Sequence, residues 1–257
     1  MARNFVSASN QYLSVASVPV SAYPLTMACW FYSTSATANQ TLVTIGTVGS
    51  ANHYFSLYLD GTATGDPVAF NTRTTSAGEV LTTSGYATDT WQHACGVGIS
   101  NTSRAVFVNG GSKGTATSNR TPSGVDSVYI GRRHTAAGGQ NYMVGRIAEI
   151  AIWNVALSDV EVALLANRIS PLMIKPKSLV AYWPLMGIGS PEPDYSSGVR
   201  NLTLNGDTPS TQADHAPVMQ FIPNRQGWRG AFTAVAAPAA VVALERQRLR
   251  MLRGLGR

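Results

Sequence analysis

Arg132, Arg133 and His134 form the strongest candidate for a ligand-binding patch, and Tyr142 follows a short distance along the chain. Guanidinium groups donate several hydrogen bonds in a fixed geometry, which suits carboxylates and other oxygen-rich ligands. Together with the aromatic ring of Tyr142 and the intervening glycines, they predict a rim loop that binds a polar or acidic glycan. A solvated loop with ordinary surface charges is the alternative interpretation.

Glycoside hydrolysis would require two carboxylic acids on either side of the scissile bond, about 5–10 Å apart. On a strand, such acids recur at positions i and i+2 or i+4 along one face. Glu149 instead stands alone among apolar residues, and Glu79 is isolated in a stretch that looks like a loop. The sequence therefore predicts a protein that is not an enzyme and has no catalytic residues.

The chain has four histidines, which are His53, His93, His134 and His215. None lies in a nucleophile-elbow pattern such as G-x-S-x-G, so a Ser-His-acid site is not supported. His93 and Cys95 share one face of a strand, but no further metal ligands are close to them in the sequence. We expect His93 to be a packed structural histidine, and Cys29 and Cys95 to be buried thiols rather than a disulfide.

Three aspartates could contribute to a calcium ion at the rim of a sandwich. Asp60 and Asp66 flank a glycine-containing loop, and Asp126 begins another. Calcium binds carboxylate and carbonyl oxygens of this kind. Aspartate is also common in turns, because its side chain accepts hydrogen bonds from nearby backbone N–H groups. The turn interpretation is favoured, so we predict no cofactor and no metal site.

Positive charge is confined to the C-terminal end of the chain. Residues 1–216 contain 12 Lys/Arg and 12 Asp/Glu, whereas residues 217–257 contain seven arginines and one glutamate, which accounts for the net charge of +6. This contrast predicts a domain at 1–216 and a basic arm at 217–257. The predicted partner-anchoring residues of the arm are Arg225, Trp228, Arg229, Arg246, Arg250 and Arg253.

The arm can form an amphipathic helix from Ala239 to Arg253, with apolar residues on one side and arginines on the other. A helix of this length is marginal alone in water, so we expect it to dock on another protein or on sister subunits of a homo-oligomer. Membrane-surface attachment, nucleic-acid binding and a passive solubilising tail are less favoured. No window of 18 uncharged apolar residues exists, so no transmembrane segment is predicted.

The elements that must position these residues are mostly short strands. Apolar runs bounded by turn residues recur at 25–32, 42–45, 54–59, 91–99, 105–108, 128–130 and 144–153. Asp60-Gly61 and Asn109-Gly110 predict hairpin turns. One helix interrupts the pattern after the capping box of Ser158 and Glu161, and we expect it to end near Asn167. This order of elements predicts an all-β sandwich.

Five stretches, in order, carry a resemblance to a known family. They are residues 5–13, MACWFY around Trp30, YFSLYLDG, TWQHA continuing to RAVFVNGG, and VYIGR with GRIAEIAIWNVALSDVEVALL. The last is the most specific, with Glu149 in the final strand, then Trp153-Asn154, and Ala156-Leu157-Ser158 leading into the helix. Over roughly residues 3–210 the chain resembles laminin-G-like, concanavalin A-like jelly-roll domains, which occur in lectins.

The resemblance implies a jelly roll of two antiparallel sheets, packed face to face about 10 Å apart. Alternation along the strands then predicts that the large aromatic residues are core residues between the two layers. These residues are Trp30, Trp91, Phe107, Trp153 and Trp183.

A lectin-like fold is typical of extracellular recognition, whereas the N-terminus has no basic-then-apolar leader, so we predict no signal peptide. Phage virion proteins satisfy both conditions, because they are made in the host cytoplasm and released by lysis. We therefore predict a non-enzymatic virion surface protein, such as a capsid decoration, head-fibre or tail-associated subunit, that displays its lectin-like domain outward and contacts surface glycans. A bacterial carbohydrate-binding lectin module and a divergent glycoside hydrolase are the alternatives.

Overall fold

The computed structural model describes residues 2–135, 138–186, 188–206, 211–216 and 218. Contacts divide the chain into two compact units, Met1–Val218 and Met219–Arg257, and the described residues all belong to the first. The elements in chain order are β1 (Ala2–Phe5), β2 (Tyr12–Val15), β3 (Leu25–Ser33), β4 (Asn39–Gly46), β5 (Tyr54–Asp60), β6 (Pro67–Arg73), β7 (Glu79–Gly85), β8 (Gln92–Ser100), β9 (Ser103–Val108), β10 (Gly111–Ala116), β11 (Ser127–Ile130), β12 (Arg133–Thr135), β13 (Gly138–Gln140), β14 (Gly145–Trp153), α1 (Asp159–Ala166), β15 (Leu179–Trp183), β16 (Thr203–Asn205) and β17 (Gln212–Ala213).

Two large antiparallel sheets make up the sandwich. The eight-stranded sheet has the order β10-β9-β8-β3-β14-β1-β17, and β15 also pairs with β14. The seven-stranded sheet has the order β16-β2-β11-β4-β5-β6-β7. A separate hairpin, β12–β13, lies between β11 and β14 in the chain. The predicted all-β jelly-roll sandwich with one short helix is confirmed.

The main core lies between the two sheets, because alternate residues of each strand point inward. Its members come from both layers, such as Met27 and Phe31 of the eight-stranded sheet and Phe55, Leu57 and Phe70 of the seven-stranded sheet. All five of these side chains are fully buried. The opposite residues of β5 therefore have to face outward, and this alternation creates the candidate site described below.

The prediction that the large aromatic residues all lie between the layers is wrong for most of them. Trp183 belongs to the core between the sheets. Phe107 and Trp153 belong to a second buried cluster that combines outer-face residues of the eight-stranded sheet with residues of α1. Trp30 is buried in a third cluster, and Trp91 is only partly buried beside it. The physical reason is that this sheet is covered on both faces, so alternation buries aromatic residues on either side.

Helix α1 begins as the capping box predicts. The Ser158 hydroxyl accepts a hydrogen bond from the Glu161 backbone N–H, and the Glu161 carboxylate accepts one from the Ser158 N–H at 2.7 Å. Hydrogen bonding to Ser158 and the charge of Lys175 more than offset desolvation and lower the pKa of Glu161. Val162 and Leu165 point into the second cluster and fasten the helix to the outer face of the eight-stranded sheet.

The turn predictions had mixed outcomes. Asn109 and Gly110 have φ values of 52° and 74° and join β9 to β10 directly, as predicted. The prediction of a two-residue turn at Asp60-Gly61 is wrong, because six residues separate β5 from β6. The Asp60 carboxylate accepts hydrogen bonds from the N–H groups of Thr62 and Ala63 at 3.1 Å, so it organises this longer loop instead.

Ser158→Ala tests how much the cap contributes. The substitution leaves the backbone N–H of Glu161 without its side-chain acceptor, so the free energy of unfolding should fall by about 1 kcal/mol. The urea midpoint measured by circular dichroism reports this change. Ser158→Thr is the matched control and should keep most of the stability, and an unchanged midpoint in Ser158→Ala would show that the cap contributes nothing.

Candidate functional site

A polar cavity of about 130 Å³ lies on the outer face of the seven-stranded sheet. It is bounded by β4, β5 and the β12–β13 segment, and its lining residues are Asn39, Thr41, Tyr54, Ser56, Tyr58, Arg133 and Asn141. Tyr54, Ser56 and Tyr58 alternate along β5 with the core residues between them. The residues of β5 that line the cavity therefore alternate with those that enter the hydrophobic core, and the two sets lie on opposite faces of the strand.

Strand register aligns a row of polar side chains beside this cavity. Thr44 lies opposite Ser56, Ser56 opposite Asn71, and Asn71 opposite Glu79. The Thr44 and Ser56 hydroxyls are hydrogen-bonded at 2.8 Å. On the other side Thr44 lies opposite Tyr129 of β11. The outer face thus presents hydroxyl, amide and phenol groups where the inner face presents methyl groups.

Arg133 brings the positive charge of the β12–β13 hairpin to the cavity. One terminal nitrogen donates to the Tyr54 hydroxyl at 2.9 Å, and the other donates to the Gln140 side-chain oxygen at 2.9 Å. Gln140 lies directly opposite Arg133 in the hairpin, so the guanidinium is held from both sides. Its Nε is buried and has no hydrogen-bond partner among the described residues.

Arg132 packs against aromatic rings instead of lining the cavity. Its guanidinium carbon lies 3.4 Å from the centre of the Tyr12 ring and 5.1 Å from that of Tyr129. Its terminal nitrogens lie 3.3 Å from the Tyr142 hydroxyl and 3.3 Å from His134 Nδ1. The side chain is 9% exposed, so the structure gives Arg132 a packing role.

His134 stacks on Tyr129, with ring centres 5.1 Å apart and planes 10° from parallel. Burial, together with the nearby Arg132 cation, lowers the pKa of His134, which keeps the imidazole neutral at pH 7. The structure therefore brings the four predicted ligand-binding residues together, but Arg133 alone among them lines the cavity. Arg132, His134 and Tyr142 position the hairpin that carries it.

Sequence reasoning missed the residues of β4 and β5 that line the cavity. Tyr54 and Tyr58 lie in a run that the sequence predicts only as a strand, and Thr41 directly precedes another such run, because no motif marks an outward-facing hydroxyl. The signal available was the alternation itself, since YFSLYLD places a phenol or hydroxyl at every second position.

Glu79 is not in a loop, contrary to the sequence-based interpretation. It is the first residue of β7, and its carboxylate accepts a hydrogen bond from the Tyr58 hydroxyl. Desolvation raises the pKa of Glu79. Because the Tyr58 proton is used in this contact, the Tyr58 oxygen can only accept hydrogen bonds from a group in the cavity. The strand was overlooked because EVLTTSG contains few apolar residues.

Glu149 contacts two polar side chains from distant parts of the chain. Tyr182 donates a hydrogen bond to Glu149 Oε2 at 2.5 Å, and His215 Nε2 lies 3.0 Å from Oε1. Glu149 has a φ of 55° and lies where the pairing of β14 shifts register. Tyr182 belongs to the outer cluster of the eight-stranded sheet, so Glu149 and Glu79 lie on opposite sides of the sandwich.

The aspartates considered for calcium serve turns where their contacts are described. Asp60 holds the loop after β5, and Asp126 accepts a hydrogen bond from the Val48 N–H at 3.0 Å. Asp66 has a φ of 49° in a turn before β6. Among the described residues no group of three or more His, Cys, Asp or Glu side chains could hold a metal ion.

His93 and the two cysteines are buried, as predicted. Both thiols are free, and burial raises their pKa values. The His93 ring packs edge-on against Trp30, with ring centres 5.6 Å apart. Burial lowers the pKa of His93 to about 3.

The predicted anchoring residues of the basic arm, Arg225, Trp228, Arg229, Arg246, Arg250 and Arg253, lie outside the described residues. Just before the arm, β17 pairs with β1 and Ala216 is buried in the third cluster. Val218 packs against the same cluster. In the part of the chain that the structure describes, no helix combines the length and apolar character that a bilayer crossing requires.

The chain is similar to proteins of known family and structure. A laminin-G-type family model, described as the concanavalin A-like lectin/glucanases superfamily, matches residues 7–163. No curated protein sequence matches the chain. A protein from Bacteroides ovatus, titled as carbohydrate-binding, has a similar structure with a TM-score of 0.59 and 22% identity over 84% of this chain; the match spans 60% of that protein's length. A heptameric pentraxin from Limulus polyphemus has a TM-score of 0.51 and 18% identity, over 64% of this chain and 81% of its own.

His93→Gln should make the protein less sensitive to acid. The native state keeps this imidazole neutral, whereas the unfolded chain protonates it below about pH 6.5, so stability falls as pH decreases through that value. One such histidine removes about 1.4 kcal/mol between pH 7.5 and 5.5. Urea unfolding measures the loss of unfolding free energy between pH 7.5 and 5.5. This loss should be about 1.4 kcal/mol smaller in His93→Gln than in the wild type.

Cys95→Ser is the control for the His93 experiment, because it perturbs a neighbouring buried position without adding or removing a group that titrates in this range. It should lower stability equally at both pH values. An equal loss on acidification in wild type and His93→Gln would show that His93 does not contribute to acid sensitivity.

Proposed function

The chain belongs to the concanavalin A-like lectin/glucanases superfamily, and we propose that it binds carbohydrate in the cavity on the outer face of the seven-stranded sheet. The single observation that carries this proposal is at Thr41, a residue of the cavity lining that is 1% exposed and whose buried hydroxyl has no hydrogen-bond partner among the described residues. Buried hydroxyls are nearly always paired, so an unpaired one beside a cavity is suited to a ligand.

The other lining groups can donate and accept the hydrogen bonds that a sugar requires. The Tyr54 oxygen accepts from Arg133, so its own proton is available to a ligand oxygen. The Tyr58 oxygen can accept from a ligand hydroxyl, because its proton is given to Glu79. Sugars present donors and acceptors on every carbon, so a cavity that offers both to the same ligand fits this class. The similar Bacteroides ovatus protein is described as carbohydrate-binding, which adds support.

Binding is proposed to occur without catalysis. The described residues that line the cavity include no carboxylate, and the two glutamates that could supply an acid and a base lie on opposite sides of the sandwich. Hydrolysis needs both within about 10 Å of each other across one bond. Binding is also proposed to need no metal ion, because one carboxylate oxygen of Asp60 and one of Asp126 already accept hydrogen bonds that hold turns.

We further propose that the chain is a virion surface protein. Its basic arm would attach it to the particle or to sister subunits. The support is the separation of charge, since residues 217–257 carry the whole net charge. The last described residue, Val218, packs beside Trp30 of the eight-stranded sheet, whereas the cavity opens on the other sheet.

Thr41→Val tests the cavity without disturbing the fold. Replacing an unpaired buried hydroxyl by a methyl group should leave stability unchanged or slightly increased, while loss of one ligand hydrogen bond should weaken saccharide binding about 3- to 10-fold. A glycan array identifies a ligand for the wild type, and titration of that ligand measures the change. Thr203→Val, at an exposed position on β16, is the matched control.

Equal affinity of wild type and Thr41→Val for the array ligand would place binding outside the cavity. Release of new reducing ends from that ligand by the wild type, absent in Glu79→Gln, would contradict binding without catalysis.

Deletion of residues 219–257 separates the arm from the domain. If the arm is the attachment segment, the truncated chain should lose co-sedimentation with particles and retain glycan binding, because the cavity belongs entirely to the first unit. Sedimentation of both chains with particles from a producing host measures the first property. Particle association that survives the deletion would refute arm-mediated attachment.

A further inference from the structure

We infer that the cavity recognises an anionic group on its saccharide, either a carboxylate or a sulfate ester, through Arg133 and the hydroxyls of Tyr54 and Thr41. This inference rests on the proposed function and specifies the class of sugar that the site would take.

The charge of the cavity lining comes from one residue. Arg133 is the one formally charged side chain among the described lining residues, and no ion pair within the described part of the chain involves it. The carboxylate of Glu79 accepts the Tyr58 proton, and Asp126 accepts a backbone N–H. A guanidinium without a carboxylate partner beside a cavity favours an anionic ligand, because charge-assisted hydrogen bonds are roughly twice as strong as neutral ones.

The groups next to Arg133 fix its position without neutralising it. The Tyr54 and Gln140 oxygens that accept from its terminal nitrogens are both uncharged. Behind it, Arg132 adds a second cation, and His134 is neutral at pH 7 because its pKa is lowered. The groups that hydrogen-bond to Arg133 therefore leave its charge unneutralised, in a domain whose charges balance over residues 1–216.

Two lining residues besides Arg133 have hydroxyl protons with no acceptor among the described residues. The Tyr54 hydroxyl can donate because its oxygen accepts from Arg133, and the Thr41 hydroxyl is unpaired. A carboxylate or sulfate accepts several hydrogen bonds and donates none, so it satisfies this set better than a hydroxyl does.

The cavity has a volume of about 130 Å³, close to the about 150 Å³ of an apolar cavity that holds benzene. A group of this size, such as an acidic substituent with part of the sugar ring that carries it, can therefore enter.

The experiment compares methyl glycosides that differ only in the group at carbon 6. Methyl glucoside, methyl glucuronide and methyl glucoside 6-sulfate are each titrated into the full-length protein and binding is followed by NMR. We expect at least a 10-fold preference for one or both acidic sugars over the glucoside. Preference for the glucuronide alone identifies a carboxylate as the natural group, and preference for the sulfate alone identifies a sulfate ester.

Three variants test whether Arg133 causes the preference for acidic sugars. Arg133→Gln should reduce the preference to within about twofold, and Arg133→Lys should retain part of it because the charge remains. Lys177→Gln removes the same charge from an exposed position outside the cavity and should leave the preference intact. Thermal unfolding of each variant verifies that the fold is unchanged, and raising the salt concentration should weaken the acidic sugars selectively.

The outcomes separate this inference from the proposed function. Equal binding of neutral and acidic sugars, weakened by Thr41→Val, would overturn the inference and leave carbohydrate binding in this cavity standing. A preference that persists unchanged in Arg133→Gln would also overturn it. No binding of these sugars and no glycan-array ligand would overturn both.

Discussion

The two-residue alternation along β5 is the constraint on which the rest of the structure depends. Phe55, Leu57 and Leu59 enter the core between the sheets, so the residues between them have no alternative to the outer face. A shift of one residue in the pairing of β5 with β4 would exchange the two sets and place phenols and hydroxyls in the hydrophobic interior. The burial of the core therefore also maintains the polar cavity.

Two adjacent arginines show how position in the fold divides one motif into two roles. The Arg132 side chain packs against Tyr12 and Tyr129, whereas Arg133 reaches Tyr54 and the cavity. Because Arg132 is stacked and buried, it holds the start of the hairpin against the sheet. Its contribution to ligand binding is then indirect, through the position of Arg133 and through the local positive potential.

The opposite side of the sandwich is closed by later parts of the chain. Helix α1 covers Phe107 and Trp153, and residues 211–216 and 218 lie along β1 and the Trp30 cluster. Glu149 is buried there with Tyr182 and His215, at a break in the pairing of β14. Its isolation in the sequence was misleading, because both contacts come from residues more than 30 positions away. The two outer faces therefore differ in kind, one covered and apolar, the other open and polar.

The sequence by itself determined the fold class, the α1 capping box, the Asn109-Gly110 hairpin and the buried cysteines, because each depends on residues close together in the chain or on the period of apolar residues. It also identified Arg133. Only the tertiary structure decided that Thr41, Tyr54 and Tyr58 line the cavity with it, that Glu79 begins a strand and contacts Tyr58, and that most of the large aromatic residues pack outside the central core. Those features depend on strand order and register, which bring distant residues together, and local sequence patterns do not encode which strands become neighbours.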